Sequence, residues 1–330
     1  MDTVFDHLLT EEPGGPLGSV TEAWERHRDV ARRFTDTVDV AVAGGFAADR
    51  LGYAFLSGYQ AAVAALLPEL PRDRPLALAA TEEGGGHPAA IRTTATERAD
   101  GWSVSGTKTF ATLGSLARRL VVIASVGAGA DGRNRLRAML VDATAPGVHV
   151  TDRPALAFAP EIPHATVTFT DTPATALPGD GYADVLKPFR TVEDIHVIAA
   201  AAGWLVRVAR EAGWPPPGGE RQRGAGGGLG GGGAGGAGGP PPVRQRLLAT
   251  VAALRGLGAV RPDSPGVHVA LGGVLDEFER LLGELAPRWD AVDESTRSRW
   301  GRDRPQLTVA GRVRAQRLAT AWRAVGEQGE

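Results

Sequence analysis

The chain has 330 residues, 43% of them hydrophobic, so it can form two or three packed units and is too apolar to be mainly disordered. Its formal net charge of −2 and isoelectric point near 6.4 argue against a nucleic-acid-binding protein, which normally carries a concentrated basic excess. The absence of cysteine excludes disulfides, thiolate metal sites and cysteine nucleophiles.

The sequence contains no pattern typical of secretion or of a membrane anchor. Its first residues lack a basic segment followed by an apolar run, and no segment is apolar throughout over the roughly 20 residues that a membrane-spanning helix needs. We therefore expect a cytoplasmic protein that binds neither nucleic acid nor membrane. Basic residues cluster at Arg118-Arg119 and within 312–317, and the simplest interpretation of each cluster is a solvated edge.

Helical periodicity dominates the first part of the chain, and we predict a helical domain over residues 1–73. An amphipathic helix follows Ser19-Val20-Thr21, with Thr21 as a plausible N-cap. A second, apolar helix is predicted over residues 47–67, where Pro68 ends it.

The pattern then changes to short runs rich in Val, Leu, Ile and Thr, separated by turn residues. Seven such runs are LALAAT, IRTTATE, WSVSGTKTFAT, RLVVIASV, RLRAMLVDA, GVHVT and ATVTFTD. Several alternate between apolar and polar residues, which is typical of half-buried antiparallel strands. We predict a β-domain over residues 74–178.

Helical periodicity returns after residue 179. A buried helix is predicted over residues 185–208, followed by a flexible Gly- and Pro-rich loop over about 215–242. Three more helices are predicted. The first covers residues 244–257, the second begins with Ser264 as N-cap and Pro265 as its first helical residue, and the third follows Asp303 as N-cap. Four helices predict a C-terminal bundle over residues 179–330.

Two motif blocks identify the family that the chain resembles. The first is TEEGGGHP at residues 81–88 and the second is GTKTFATLG at residues 106–114. They resemble T-E-P-G-A-G-S-D and G-x-K-x-[WF]-I-T-N-G in the flavin-cradling middle domain of the acyl-CoA dehydrogenases. The resemblance implies an α+β fold with a shortened N-terminal helical domain, a central antiparallel β-domain and a C-terminal four-helix bundle. It also implies FAD as the cofactor.

Residues of both blocks correspond to flavin contacts in that family. The resemblance implies that Thr81 hydrogen-bonds the isoalloxazine edge, that Phe110 flanks the ring and that Thr112 supplies a second hydroxyl. The glycines would let backbone N–H groups approach the cofactor, although a plain tight turn explains them as well. The implied cofactor-binding set is Thr81, Gly85, Gly86, His87, Phe110 and Thr112.

The chain departs from the family pattern at three places. His87-Pro88 replaces Ser-Asp, and proline has no N–H to donate. The Arg-Phe-Gly segment that holds the FAD pyrophosphate in the family has no equivalent after Trp214, where only Arg221 and Arg223 occur. FAD binding is therefore expected to be weak or to require a partner chain. The family's commoner catalytic base, in a Tyr-Glu-Gly segment, is also missing.

The rarer position of the base, in the first bundle helix, corresponds to Glu193. A glutamate in an otherwise apolar helix tends to have a raised pKa, which suits proton abstraction. Two observations count against it. Pro188 would open the helix nearby and place the carboxylate near its positive end, and a structural pairing with Arg190 or His196 is an equally simple interpretation. Asp194 stands where the family usually has arginine.

Other carboxylates and histidines are weaker candidates. Glu294 and Asp303 lie near the position of the missing Tyr-Glu-Gly segment. The segments 160–164 and 194–196 contain residue types that bind zinc or iron, but we expect no metal site there.

The resemblance implies a dehydrogenase that oxidises an acyl-CoA or another acyl thioester to the 2,3-enoyl thioester in fatty acid metabolism. It also implies an electron-transfer flavoprotein or similar acceptor, and a homo- or hetero-oligomer. Two alternatives stay open. The chain could be a non-catalytic partner subunit that completes or stabilises a related enzyme, or a repurposed member that acts on a carrier-protein substrate in a biosynthetic pathway.

Overall fold

The computed structural model describes residues 3–99, 101–214 and 242–326. The predicted flexible loop over 215–242 lies outside the described residues except for Pro242, and so do Arg221 and Arg223.

Four helices form the N-terminal region, where the sequence predicted two. They are α1 (Val4–Thr10), α2 (Val20–Ala31), α3 (Thr37–Ala47) and α4 (Leu51–Leu66). The prediction of a single helix over 47–67 was wrong at its start, because a break separates α3 from α4. Thr21 is not the N-cap of α2, since Ser19 accepts the hydrogen bond from the Glu22 backbone N–H. Helix α3 escaped prediction because it is buried on nearly every face and has no polar stripe.

All seven predicted runs form strands, and together they make one sheet. The strands are β1 (Leu76–Ala79), β2 (Thr94–Arg98), β3 (Gly101–Thr112), β4 (Arg119–Ala128), β5 (Asn134–Asp142), β6 (Val148–Asp152) and β7 (His164–Ala176). Their order is β1-β4-β2-β3-β7-β5, with β6 on β7, and an additional β4–β5 pairing closes the sheet on itself. Most neighbours are antiparallel as predicted, but β4 pairs in parallel with both β1 and β2.

The C-terminal region begins with a π-helical segment, Gly181–Leu186, that runs directly into a long buried helix. The helices are α5 (Lys187–Glu211), α6 (Val243–Gly258), α7 (Pro265–Glu284), α8 (Glu294–Asp303) and α9 (Gly311–Gly326). Helix α8 was not predicted. Asp303 is therefore not the N-cap of the last helix: it ends α8, is fully buried and accepts a hydrogen bond from the Ala159 backbone N–H at 2.7 Å.

Close packing of α3 and α4 against α5 fixes the position of α5 in the core. Gly45 on α3 and Gly203 on α5 allow this approach, since an added Cβ would lie 1.9 Å from the Ala200 carbonyl oxygen and 2.1 Å from the Val42 carbonyl oxygen, respectively. The predicted buried character of this helix is confirmed. Among the described helices, none is both long and apolar enough to cross a membrane.

Candidate active site

A cavity of about 210 Å³ lies where the β-domain meets α4, α5 and the segment between α8 and α9. Its apolar walls come from each of these elements and from the segment between β6 and β7. The polar side chains on its wall are Thr112, His164, Glu193, Asp194, Gln306 and Arg314. The structure thus brings Glu193 together with Phe110 and Thr112, which are 80 and more residues away in the sequence.

The end of β3 supplies the aromatic wall of this cavity. The centroid of the Phe110 ring lies 4.4 Å from that of His164, and the Arg153 guanidinium carbon lies 5.7 Å from the Phe110 centroid. Burial lowers the pKa of His164, whose Nδ1 is 3.0 Å from the Ile162 carbonyl oxygen. His164 is therefore neutral near pH 7 and donates through Nδ1.

Glu193 is partly buried on α5 and faces this cavity. Burial, followed by the charge of Asp194, raises its pKa from the ordinary 4.5 to about 7, and Arg314 opposes the shift. No described side chain forms a hydrogen bond or ion pair with it. A carboxylate that is half protonated near neutral pH and has no structural partner is suited to proton transfer.

The structure removes both sequence-based arguments against Glu193. Arg190 donates to the Gly86 carbonyl oxygen at 3.3 Å, and His196 bonds to Val192 and Thr37, so neither pairs with Glu193. The π-helical segment extends the helical run back to Gly181, which places Glu193 roughly three turns from its start. Since the helix-dipole effect falls off within the first turn, it does not favour the anion here.

Asp194, the residue after Glu193, links α5 to α9 through two ion pairs. Its carboxylate accepts from Arg314 at 2.7 Å and from Arg317 at 2.5 Å, and all three side chains are largely buried. The interpretation of 312–317 as a solvated edge was therefore wrong for these two arginines. Sequence reasoning missed this ion-pair cluster, although the exchange of a family arginine for Asp194 was a signal that a new partner had to exist.

The first motif block lies beside the cavity and contributes no wall residue to it. Thr81 pairs with Phe110 in an isolated β-bridge, and its carbonyl oxygen accepts from the Thr109 N–H at 2.9 Å. Gly85 and Gly86 belong to a tight turn, in which the Gly85 N–H already donates to the Glu82 carbonyl oxygen at 2.8 Å. His87 is exposed and its Nδ1 accepts from the Ala89 N–H at 3.2 Å. The flavin-binding roles of these residues stay predictions.

A buried ion pair between the two blocks was also missed. The Lys108 ammonium lies 2.6 Å from the Glu82 carboxylate, which accepts in addition from the Arg92 and Thr93 backbone N–H groups. Burial lowers the pKa of Lys108 to about 8, against the opposing effect of Glu82. Glu82 and Lys108 are the Glu and the Lys of the two family patterns, so these two motif positions attach the glycine turn to β3.

The residues present fit the isoalloxazine part of FAD. An aromatic face (Phe110), a hydroxyl (Thr112) and the buried Nε2 of Gln306, which has no hydrogen-bond partner among the described residues, face one cavity. A flat ring with a polar rim needs this combination. A volume of about 210 Å³ is below the usual range for burying a whole drug-sized ligand, so the adenosine end of FAD would have to lie elsewhere.

The remaining candidates lie outside the cavity. Glu294 is exposed in the first turn of α8, and Asp303 is bound by Arg302 and the Ala159 N–H. In the described part of the chain, no group of three or more histidine, aspartate and glutamate side chains could hold a metal ion.

Comparison with protein families supports the assignment made from the motif blocks. The model of the acyl-CoA dehydrogenase middle domain matches residues 77–172, which include both blocks. A search of curated proteins finds no match.

Solved structures share this fold over nearly the whole chain. Butyryl-CoA dehydrogenase from Megasphaera elsdenii has a TM-score of 0.61 at 16% identity, covering 92% of this chain and 87% of that one. The prolyl acyl carrier protein oxidase AnaB has a TM-score of 0.64 at 13% identity, covering 96% of each chain. The FAD complex of PigA has a TM-score of 0.64 at 14% identity, covering 98% and 95%.

Helices, a closed β-domain and a C-terminal set of helices around one cavity thus define an α+β protein with the acyl-CoA dehydrogenase fold. The middle-domain match over residues 77–172 agrees with the resemblance that the two blocks carry, and the solved structures show the fold of the acyl-CoA dehydrogenases over the chain as a whole.

Proposed function

We propose that the chain is an FAD-dependent dehydrogenase that introduces an α,β double bond into an acyl thioester, with Glu193 as the base. One observation carries the proposal: the Glu193 carboxylate, with a pKa of about 7, shares a cavity with Phe110 and Thr112. A base with a pKa near the working pH combines the correct protonation state with a useful proton affinity.

The proposed reaction removes a proton from the α-carbon and a hydride from the β-carbon, and the electrons of the α-C–H bond form the new double bond. Glu193 holds the α-proton on its carboxylate after the reaction. FAD, when bound, supplies the hydride acceptor. The cavity's walls Phe55, Phe158 and Val197 are apolar and would exclude water from the acyl chain. Gln306 Nε2 is a buried donor without a partner among the described residues, and it would hydrogen-bond the polar rim of the isoalloxazine ring.

The proposed flavin contacts are Thr81, Phe110 and Thr112, with Gly85, Gly86 and His87 at the edge of the site. An acyl-CoA is the first substrate class to test, because the similar butyryl-CoA dehydrogenase is named for one. The similar prolyl acyl carrier protein oxidase motivates a carrier-bound thioester as the second. An electron-transfer flavoprotein is the proposed electron acceptor. An oligomer is proposed because the sequence lacks the Arg-Phe-Gly segment that holds the FAD pyrophosphate in the family.

The test begins with the absorbance spectrum of the protein after incubation with FAD and gel filtration. Retained flavin bands are expected, and anaerobic addition of a panel of acyl-CoA and acyl-carrier thioesters should bleach them. The rate of bleaching should rise as the pH increases through 7, because the base must be ionised. Glu193→Gln should keep the bands and abolish bleaching.

Glu294→Gln is the matched control, since Glu294 is an exposed carboxylate away from the cavity, and it should bleach like the unmodified protein. Equal bleaching by Glu193→Gln would remove Glu193 from the mechanism. A protein that retains no flavin, alone or with a related full-length subunit, would exclude the dehydrogenase. Retention and bleaching only with such a subunit would instead support the partner-subunit alternative.

A further inference from the structure

The N-terminal helices line a second cavity, which is separate from the Glu193 cavity although α4 contributes to both. It has a volume of about 260 Å³ and lies between α2, α3, α4 and the loop that leads into β1. None of the residues that line it lines the Glu193 cavity, so the two can be occupied independently.

Four arginines surround this second cavity. Arg28 lies in the last turn of α2 and Arg32 is the C-cap of that helix, while Arg72 and Arg74 belong to the loop before β1. Within the described residues, no aspartate or glutamate lines the cavity. Arginine keeps its charge at every physiological pH. The cavity therefore concentrates positive charge that an anion would neutralise.

Most of this charge is not neutralised by the protein itself. Arg32 forms an ion pair with Asp29 on the same helix, and Arg72 donates to the Ala64 carbonyl oxygen at 3.3 Å. For Arg28, Arg72 and Arg74, no carboxylate in the described ranges lies within ion-pair distance. Three guanidinium groups thus remain available for a ligand.

The floor of the cavity is uncharged and its hydrogen bonds are already made. Burial lowers the pKa of His27 to about 4, so its ring is neutral, and its Nδ1 bonds to Ser57 at 2.8 Å. The Gln60 amide is held at both ends by the Leu76 backbone, at 2.8 and 3.1 Å. Trp24 stacks on His27 with ring centroids 5.3 Å apart and adds an apolar surface. The floor consequently favours an apolar or aromatic group, while the rim favours an anion.

We propose that this cavity binds a small phosphate monoester, with its phosphate at Arg28, Arg72 and Arg74 and its organic part on the Trp24 side. The planar guanidinium matches phosphate oxygens in a two-point contact, and a dianion neutralises more of the cluster than a carboxylate does. The volume is sufficient for one phosphate and a small ring. This site is independent of the dehydrogenase proposed above.

The test is isothermal titration of the full chain with phenyl phosphate at low ionic strength, with benzoate and phenol as comparison ligands. One saturable site is expected for phenyl phosphate, with weaker binding of benzoate and none of phenol. Arg28→Gln combined with Arg74→Gln should weaken phenyl phosphate roughly 100-fold, since each lost charge-assisted hydrogen bond costs about tenfold.

Arg133→Gln combined with Arg135→Gln is the matched control, because both arginines lie exposed at the hairpin between β4 and β5. It removes the same charge and should leave the affinity unchanged. Arg28→Lys with Arg74→Lys keeps the charge without the planar fork and should lose affinity partially. Circular dichroism verifies that every variant is folded. The absence of saturable binding, equal affinity in the Arg28/Arg74 glutamine variant, or the same loss in the Arg133/Arg135 control would overturn the proposal.

Discussion

Glu82 and Lys108 form an ion pair of 2.6 Å that joins the two motif blocks inside the protein. Lys108 is fully buried and also donates to the Ala80 carbonyl oxygen at 3.2 Å. Glu82 in turn accepts from two backbone N–H groups, so each charge is satisfied by several partners. The pair holds the glycine turn against β3, and thereby sets where Thr81 and Phe110 meet.

Replacing Lys108 should therefore lower the stability of the folded protein. Lys108→Met leaves Glu82 buried without its countercharge, and breaking a buried pair in this way costs about 3–5 kcal/mol. We expect a loss of that size in the free energy of unfolding by urea. Arg98→Met is the control, because Arg98 pairs with Asp171 at 2.9 Å on the exposed surface. A change of less than about 1 kcal/mol is expected there, and a similar loss in both variants would contradict this account.

The raised pKa of Glu193 predicts a pH dependence of stability. The folded pKa of about 7 lies above the ordinary value of 4.5, so the stabilising contribution is complete below pH 4.5 and is lost as the pH rises through 7. Glu193→Gln cannot lose a proton and should gain stability relative to the unmodified protein across that window, by on the order of 2 kcal/mol. Urea unfolding from pH 4.5 to 8 measures the difference. For exposed Glu294→Gln, a curve parallel to that of the unmodified protein is expected; a parallel curve for Glu193→Gln would refute the shift.

The charges next to Glu193 should move its pKa in opposite directions. Arg314→Met should raise it, because Arg314 favours the anion, and Asp194→Asn should lower it, because Asp194 opposes the anion. Carbon NMR of labelled glutamate carboxyl groups follows the titration, with Glu193→Gln used for assignment. Arg317→Met should have the smaller effect, because the charges that shift the pKa of Glu193 are those of Asp194 and Arg314, and Arg317 pairs with the Asp194 Oδ2 atom. Shifts of the same sign for Arg314→Met and Asp194→Asn would contradict this electrostatic explanation.

Because helices pack closely around α5, we expect substitution by alanine to have opposite effects on stability at two glycines. Gly203→Ala would place a methyl group 2.1 Å from the Val42 carbonyl oxygen, so α3 and α5 must separate. A loss of about 3 kcal/mol or more in the free energy of unfolding is expected. Gly256→Ala, at an exposed position of α6 with no heavy atom near the added carbon, should instead stabilise the protein by about 1 kcal/mol. Thermal unfolding of both variants measures the contrast, and a neutral Gly203→Ala would show that the helices are not in close contact.

Elements with a clear period or a clear boundary could be predicted from the sequence. Several of the seven strands alternate between apolar and polar residues, and turn residues separate them, so the sequence predicted them. Helix α5 was predicted because it is apolar over a long run. Helix α1 has only seven residues, too few to show a period, and it was not predicted. Helices α3 and α8 were not predicted either. The first is buried on all sides and carries two glycines, and the second is dominated by polar residues, so neither has an apolar stripe.

The residues of the candidate site likewise include some that the sequence predicted and some that it did not. Glu193, Phe110 and Thr112 were predicted from the family blocks and from the count back from Gly203, and the structure places all three on one cavity; their roles stay predictions. Asp194 with Arg314 and Arg317 was not found, since the partners are separated by more than a hundred residues and no local pattern links them.

The sequence by itself determined the resemblance to the family, the seven strands and the arrangement of helices, then β-domain, then helices, and it predicted the carboxylate of the proposed chemistry. Those properties depend on local periodicity and on short motifs, both of which involve residues close together in the sequence. The tertiary structure alone decided that Glu193 forms no hydrogen bond or ion pair with any described side chain, that its pKa is raised to about 7, and that Asp194 is neutralised by the last helix. These are properties of burial and of distances between charges, and both exist only after distant segments have packed together.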